Sequence, residues 1–244
     1  MVGQLPEGAR AHVGTTDVDL IIGLALGDET PETYRTLENN LEKAHFVQKE
    51  PSFRWARDVD GFTVLVEFLC ETDEVGPGRI FRPGEFTGSR LGAFNVRGAH
   101  LVRDDFVERD IEGERLDGEG RSRVTVRVAN VLPYTVLKIL AFQDRHENKD
   151  AYDLVFTLLN HGGGPRAAGR AAAGSAVARH PQVEGALALL QERFSDAGQD
   201  GSHAYASFLA VPDDDAERAR LRQEAVATVR EFLGGFHSVD LMHG

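Results

Sequence analysis

The chain has 244 residues, 41% hydrophobic and 27% charged, a globular mix that excludes wholesale disorder and suffices for a core domain with a helical extension. The net charge of −12 argues against broad non-specific binding to nucleic acid, while leaving room for a local basic groove. A lone cysteine, Cys70, excludes a disulfide framework and a multi-cysteine zinc site and fits a reducing cytoplasm.

The N-terminal MVGQLPEGARAHVG has no apolar stretch of the kind a signal peptide needs. Residues 17–26, DVDLIIGLAL, read as a buried strand; its apolar run is broken by Asp19 and Gly23 and is too short to span a bilayer, so no membrane partner is expected. Thr30 and Pro31 read as a helix start, followed by Tyr34, Leu37, Leu41 and Ala44 at helical spacing. Residues 52–58 and 62–70 read as strands joined by a turn at Asp60-Gly61, the second apolar enough to be covered on both faces. Residues 71–95 read as a long loop, 96–102 and 123–131 as strands, and 104–121 as an exposed loop or hairpin. Helices are expected at 133–142, after a cap at Asn148, at 182–195 and at 215–234. Between them, 161–175 is a Gly/Ala-rich connection that starts as a loop and turns helical through its alanines. The organisation is a mixed strand–helix part at 1–132 and a helical region at 133–244.

Three groups of residues carry candidate chemistry. Asp17 and Asp19 alternate with Val18 and Leu20, so in a strand both carboxylates share one face. Two such groups repel unless a cation lies between them, and Mg²⁺ prefers hard oxygen ligands; the bland alternative is a solvated strand end. Glu67 is the ionisable group in the apolar run 64–69, either a third ligand beside the aspartates or an edge-strand residue facing water. Lys138, Arg145 and Lys149 fall on one stripe if a single helix runs through them. If a new helix starts at Asn148, Lys149 and Asp150 occupy its first turn, where backbone N–H groups favour phosphate. The alternative is a surface salt-bridge network with Asp144, Glu147 and Asp150.

Asp58-Val-Asp60-Gly61 reads as a turn, and GGGPRAAGR lacks the G-K-[ST] ending of a phosphate loop. The nine histidines form no metal-binding pair, and Cys70 reads as a buried hydrophobe.

Taken together, T-x-D-h-D-h at 15–20 (h, apolar), a carboxylate in a later apolar strand, and K-x₆-R-x₃-K-D-x-x-D from Lys138 to Asp153 resemble the AbiEii-type nucleotidyltransferases, within the DNA-polymerase-β-like superfamily. The similarity covers about residues 10–160. It implies an α+β fold: a mixed sheet flanked by helices, then a helical C-terminal region. It implies Asp17, Asp19 and Glu67 as catalytic metal ligands for two Mg²⁺ ions, with Mn²⁺ an alternative. It implies Lys138, Arg145, Lys149, Asp150 and Asp153 as nucleotide-binding residues. The family's glycine pair ahead of the aspartates is represented only by Val2-Gly3-Gln4. The implied reaction moves an NMP from an NTP to an acceptor hydroxyl, on RNA or tRNA, in the manner of a toxin with a cognate antitoxin. The alternatives are a silent relative that works by binding a partner and a small-molecule, antibiotic-type nucleotidyltransferase.

Overall fold

β-Branched runs and a Pro-initiated amphipathic helix at the N-terminal side give way to Ala- and Leu-rich helices, and the architecture follows that change. The computed structural model describes residues 5, 11–22, 31–50, 52–82, 88–115, 118–210 and 213–238. Two compact units emerge: Val13–His100 with Glu108–Val126, and Leu101–Val107 and Arg127–Gly244 with Met1–His12. The result is α+β, with a mixed sheet and C-terminal helices.

The sheet unit holds β1 (Asp17–Ile21), α1 (Pro31–Lys43), β2 (Val47–Lys49), β3 (Arg54–Val59), β4 (Phe62–Cys70), β5 (Ile80–Phe81) and β6 (Ala93–Asn95). β4 is the organiser: β1 and β6 pair with it in parallel, β3 antiparallel. Leu65 N–H donates to Thr16 O and Ile22 N–H to Leu69 O, so the odd residues of β4 bond toward β1. Phe68 N–H donates to Phe53 O and Val96 N–H to Cys70 O, so the even residues bond toward β3 and then β6 along the other edge. The β3–β4 turn has Asp60 at φ 50° and Gly61 at φ 84°, both positive as a tight two-residue hairpin turn requires.

α1 covers one face. Its Tyr34 and Leu41 join Trp55, Val66, Phe68, Cys70, Leu91 and Ala93 in a core. Beside that packing the buried Glu38 accepts from Ser89 Oγ (2.7 Å), Arg90 N (2.9 Å) and Arg90 Nε (2.6 Å), tying the 89–91 segment to α1. Burial raises the Glu38 pKa, but these three donors outweigh it and hold the carboxyl below its ordinary value.

Several expectations change here. β4 is buried on alternate residues rather than on both faces, because among the described residues α1 is the only helix packed into this core. β1 is not a buried strand: Val18, Leu20 and Ile21 are 48, 39 and 37% exposed, and among the described strands β1 pairs only with β4. The expected continuation at 23–26, and Thr30 and Gly3, lie outside the described residues. The strand expected at 96–102 is displaced to β6, because Gly98 at φ 87° ends extended backbone and a short helix follows. That loop of 71–95 also contains β5.

The helical unit begins with α2 (Leu101–Asp104). β7 (Phe106–Glu114) and β8 (Arg121–Ala129) form a separate two-stranded sheet whose larger part, Glu108–Val126, groups with the sheet unit; 104–121 supplies one strand and the turn, and the strand expected at 123–131 is its partner. Then come α3 (Val131–Arg145), α4 (Asn148–Leu159), α5 (Gly164–Ala173), α6 (Pro181–Arg193), α7 (Asp200–Leu209) and α8 (Asp215–His237). Asn130 caps α3 through its side chain (Val131 N–H, 2.8 Å), and His146 ends it in the left-handed region. Leu132, Val136, Ile139, Leu158, Leu190, Leu221 and Phe232 are fully buried in one continuous core. The Gly/Ala-rich stretch is α5, packed on α8 at backbone contact: a Cβ at Gly169 would lie 2.0 Å from Phe232 O, and one at Gly235 2.2 Å from Arg166 O. No described helix is long and apolar enough to cross a membrane.

Candidate functional site

The β1–β4 register decides which carboxylates share a face. Asp17 pairs with Leu65 and Asp19 with Glu67. Cα partners on adjacent strands point their side chains to the same side, so Asp17, Asp19 and Glu67 lie on one face. That face is opposite the one carrying Val66, Phe68 and Cys70, which α1 covers. Thr16 Oγ1 donates to Asp17 Oδ1 (3.2 Å), and Thr15 Oγ1 accepts from Asp17 N–H (3.1 Å). The two threonines just ahead of β1 therefore hold the first aspartate at its backbone and its side chain.

Glu67 has a partner that the sequence reading did not name. Arg54 is its Cα partner across the β3–β4 ladder and donates from Nε to Glu67 Oε1 at 2.5 Å. The Glu67 side chain is 17% exposed, and the guanidinium also lies 4.9 Å from the Phe53 ring centroid. The expected edge-strand alternative for Glu67 fails as well, since β4 has neighbours on both edges.

The donors suit a hard divalent ion in kind: Asp17 and Asp19 offer carboxylate oxygens from one strand face. Glu67 fits less well as a third ligand, since one of its oxygens is committed to Arg54. Among the described residues no group of three or more His, Cys, Asp and Glu side chains converges around a point where an ion would sit.

The second candidate cluster lies within the helical unit. α3 ends at Arg145 and α4 starts at Asn148, so no single helix aligns Lys138, Arg145 and Lys149. Glu147, rather than Asn148, takes the cap position, and Lys149 and Asp150 stand in the first turn. Lys138 Nζ donates to Asp153 Oδ2 (2.7 Å) and lies 3.6 Å from Asp150 Oδ1. Arg145 grips Asp150 with two bonds, Nε to Oδ2 (2.6 Å) and Nη2 to Oδ1 (2.7 Å). His12 Nε2 lies 3.2 Å from Asp153 Oδ1, its ring against Tyr152 and Phe156. Asp150 and Asp153 are 1% and 5% exposed, so this is a buried network rather than the surface one expected with Asp144 and Glu147. Burial lowers the Lys138 pKa, but Tyr134, Asp153 and Asp150 outweigh it and the ammonium is held above its ordinary value. Burial drives the Tyr134 hydroxyl upward too.

Sequence reasoning missed Arg54, Tyr134 and His12. Arg54 had a signal: with a two-residue turn at 60–61, hairpin pairing sets 59 opposite 62 and therefore 54 opposite 67. It also missed Asp105, which is 8% exposed and accepts from Asn130 Nδ2 (2.8 Å) and Ser175 Oγ (2.5 Å), joining three parts of the helical unit. Nothing in the local sequence marks that contact.

No protein-family model matches the chain, and no curated protein or solved structure matches it.

Proposed function

We propose that the chain is a metal-dependent nucleotidyltransferase that moves an NMP from an NTP to an acceptor hydroxyl. The observation that carries this reading is the register placing Asp19 beside Glu67, with Asp17 two residues away on the same face. Asp17 and Asp19 would hold Mg²⁺ or Mn²⁺, which supplies charge neutralisation at the phosphates and acidifies the attacking hydroxyl. Glu67, steadied at Oε1 by Arg54, accepts the acceptor's proton. The acceptor oxygen bonds to the α-phosphorus, the bond to the β-phosphate bridge breaks, and pyrophosphate leaves. The resemblance supports RNA or tRNA as the acceptor and a toxin's role beside a cognate antitoxin, and the lone Cys70 supports a cytoplasmic setting.

A second reading, a silent relative that acts by binding a partner, is favoured by the Arg54–Glu67 contact, which occupies a residue the chemistry needs. Transfer from each NTP onto total cellular RNA, in Mg²⁺ and in Mn²⁺, separates the two. The enzyme reading expects incorporation by the unaltered chain and loss in Asp17→Asn and in Asp19→Asn. Incorporation that persists in Asp19→Asn removes the carboxylate face from the reaction. No incorporation with RNA or with small hydroxylated acceptors favours the binding role.

A further inference from the structure

The β7–β8 hairpin is a sheet of two strands among the described residues, and such a ribbon is marginal in water unless a further strand or a helix joins it. β7 is exposed from Glu108 to Glu114, and β8 from Arg121 to Thr125. Arg115 N–H donates to Gly120 O, so 115 stands opposite 120 in a bonded pair. Bonded pairs recur at every second residue. The main-chain groups of Ile111 and Gly113 therefore turn to β8, and those of Asp110, Glu112 and Glu114 turn to the outer edge. Arg123 donates from Nη2 to Asp110 Oδ2 (2.5 Å) and lies 3.4 Å from Glu112 Oε1, and Thr125 Oγ1 donates to Asp110 Oδ1 (2.7 Å). One face of the ribbon is thus charged. Alternation puts Ile111 and Val124, 44% and 50% exposed, on the other face with Gly113.

Charge and one glycine select the occupant of the outer β7 edge. Asp110, Glu112 and Glu114 stand on the charged face against Arg121 and Arg123, so carboxylate is in excess there, on a chain of net charge −12. A second copy paired through β7 would set this row against itself, carboxylate to carboxylate, and one paired through β8 would set arginine to arginine. Gly113 is not in the left-handed region, and a Cβ there would meet nothing within 4 Å. Neither a turn nor packing among the described residues calls for glycine, and a glycine inside a strand leaves room for a large side chain on a neighbouring strand.

We propose that the outer edge of β7 docks an extended segment of another protein, one that alternates basic and apolar residues, as a third strand. Its main chain bonds to Asp110, Glu112 and Glu114, its lysines or arginines flank those three carboxylates, and a large apolar side chain seats over Gly113 beside Ile111.

The test uses the isotope-labelled full chain and three synthetic peptides of equal length: lysine alternating with valine around a central tryptophan, the same peptide with glutamate for lysine, and a scrambled lysine peptide without alternation. The alternating lysine peptide is expected to bind and to slow exchange of the Asp110, Glu112 and Glu114 amides by about tenfold or more, with the Ile111 and Gly113 amides, already bonded to β8, little changed. Glu112→Lys with Glu114→Lys is expected to weaken that peptide by about tenfold or more. Gly113→Val, which has room in the unbound chain, is expected to weaken it as well. Amide chemical shifts show whether each variant keeps the hairpin. Absence of binding, equal binding of the glutamate or scrambled peptide, or protection that falls on β8 overturns the proposal. So does undiminished affinity in a folded Glu112→Lys, Glu114→Lys chain. Protection of β7 that grows with protein concentration in the absence of peptide assigns the edge to a second copy and overturns it too.

Discussion

Two glycines inside helices are expected to respond to alanine with opposite signs. Gly169 lies in α5 where that helix meets α8, and an alanine Cβ there would come 2.0 Å from Phe232 O and 2.7 Å from Phe236 N. Real Cβ contacts essentially never fall below 3.0 Å, so the helices must part by about 1 Å. Overpacking of this kind costs about 1–3 kcal/mol, and here the obstacle is backbone, which yields less than a side chain. Alanine's helix preference returns about 1 kcal/mol. A net loss of about 2 kcal/mol corresponds to a Tm lower by roughly 4–8 °C in a chain of this size. Gly185 lies in α6 with nothing within 4 Å of its would-be Cβ. Gly185→Ala keeps the propensity gain alone and raises Tm by roughly 2–4 °C. Thermal melts followed by far-ultraviolet circular dichroism, which the helices dominate, read both variants. A Gly169→Ala protein melting at or above the unaltered one refutes the close α5–α8 contact.

The remaining expectations concern buried charge and the thiol. Lys138→Met leaves Asp153 and Asp150 short of a cation in a nearly closed site and is expected to cost about 3–5 kcal/mol in urea unfolding, whereas Arg220→Met, on an exposed helix face, costs under about 1 kcal/mol. Glu38 has a lowered folded pKa, so its contribution is present above pH 4.5 and is lost as pH falls through the folded value; Glu38→Gln should flatten the acid limb of the stability–pH curve there. Burial first, then Glu71, pushes the Cys70 thiol from 9.0 to about 11, which cuts the thiolate roughly a hundredfold at neutral pH. Maleimide labelling of Cys70 should therefore be at least that much slower in the folded chain than in urea, and equal rates would place Cys70 outside the core.

What the sequence revealed, and what it concealed, follows from how local each determinant is. β4 was legible to the residue because a β-branched run ends at a Gly turn and at Cys70, and α4 to within one residue, since Glu147 rather than the expected Asn148 takes the cap. The shared face of Asp17 and Asp19 needs only strand alternation. The exposure of β1 was not legible, since DVDLI reads the same whether its strand sits centrally or beside one neighbour. β2 and β5, at three and two residues, carry too little pattern to register. The helical turn of the Gly/Ala-rich stretch was legible from its alanines, but its packing was not: in the fold those small residues allow helix backbones to touch. The partners of Lys138 and Arg145 were identified only in part: Asp150 was anticipated for a surface network, and Asp153 lies one turn further on the same buried side.

The central claim is the transfer of an α-phosphate with departure of pyrophosphate, and paired labelling tests it most directly. The chain is incubated with Mg²⁺ or Mn²⁺, cellular RNA, and each NTP labelled once at the α-phosphate and once at the γ-phosphate. The account predicts that α-label becomes attached to acceptor while γ-label is recovered only as pyrophosphate, and that both signals vanish in Asp17→Ala with Asp19→Ala. Attachment of γ-label to the acceptor, or α-label transfer undiminished by that double substitution, would contradict it.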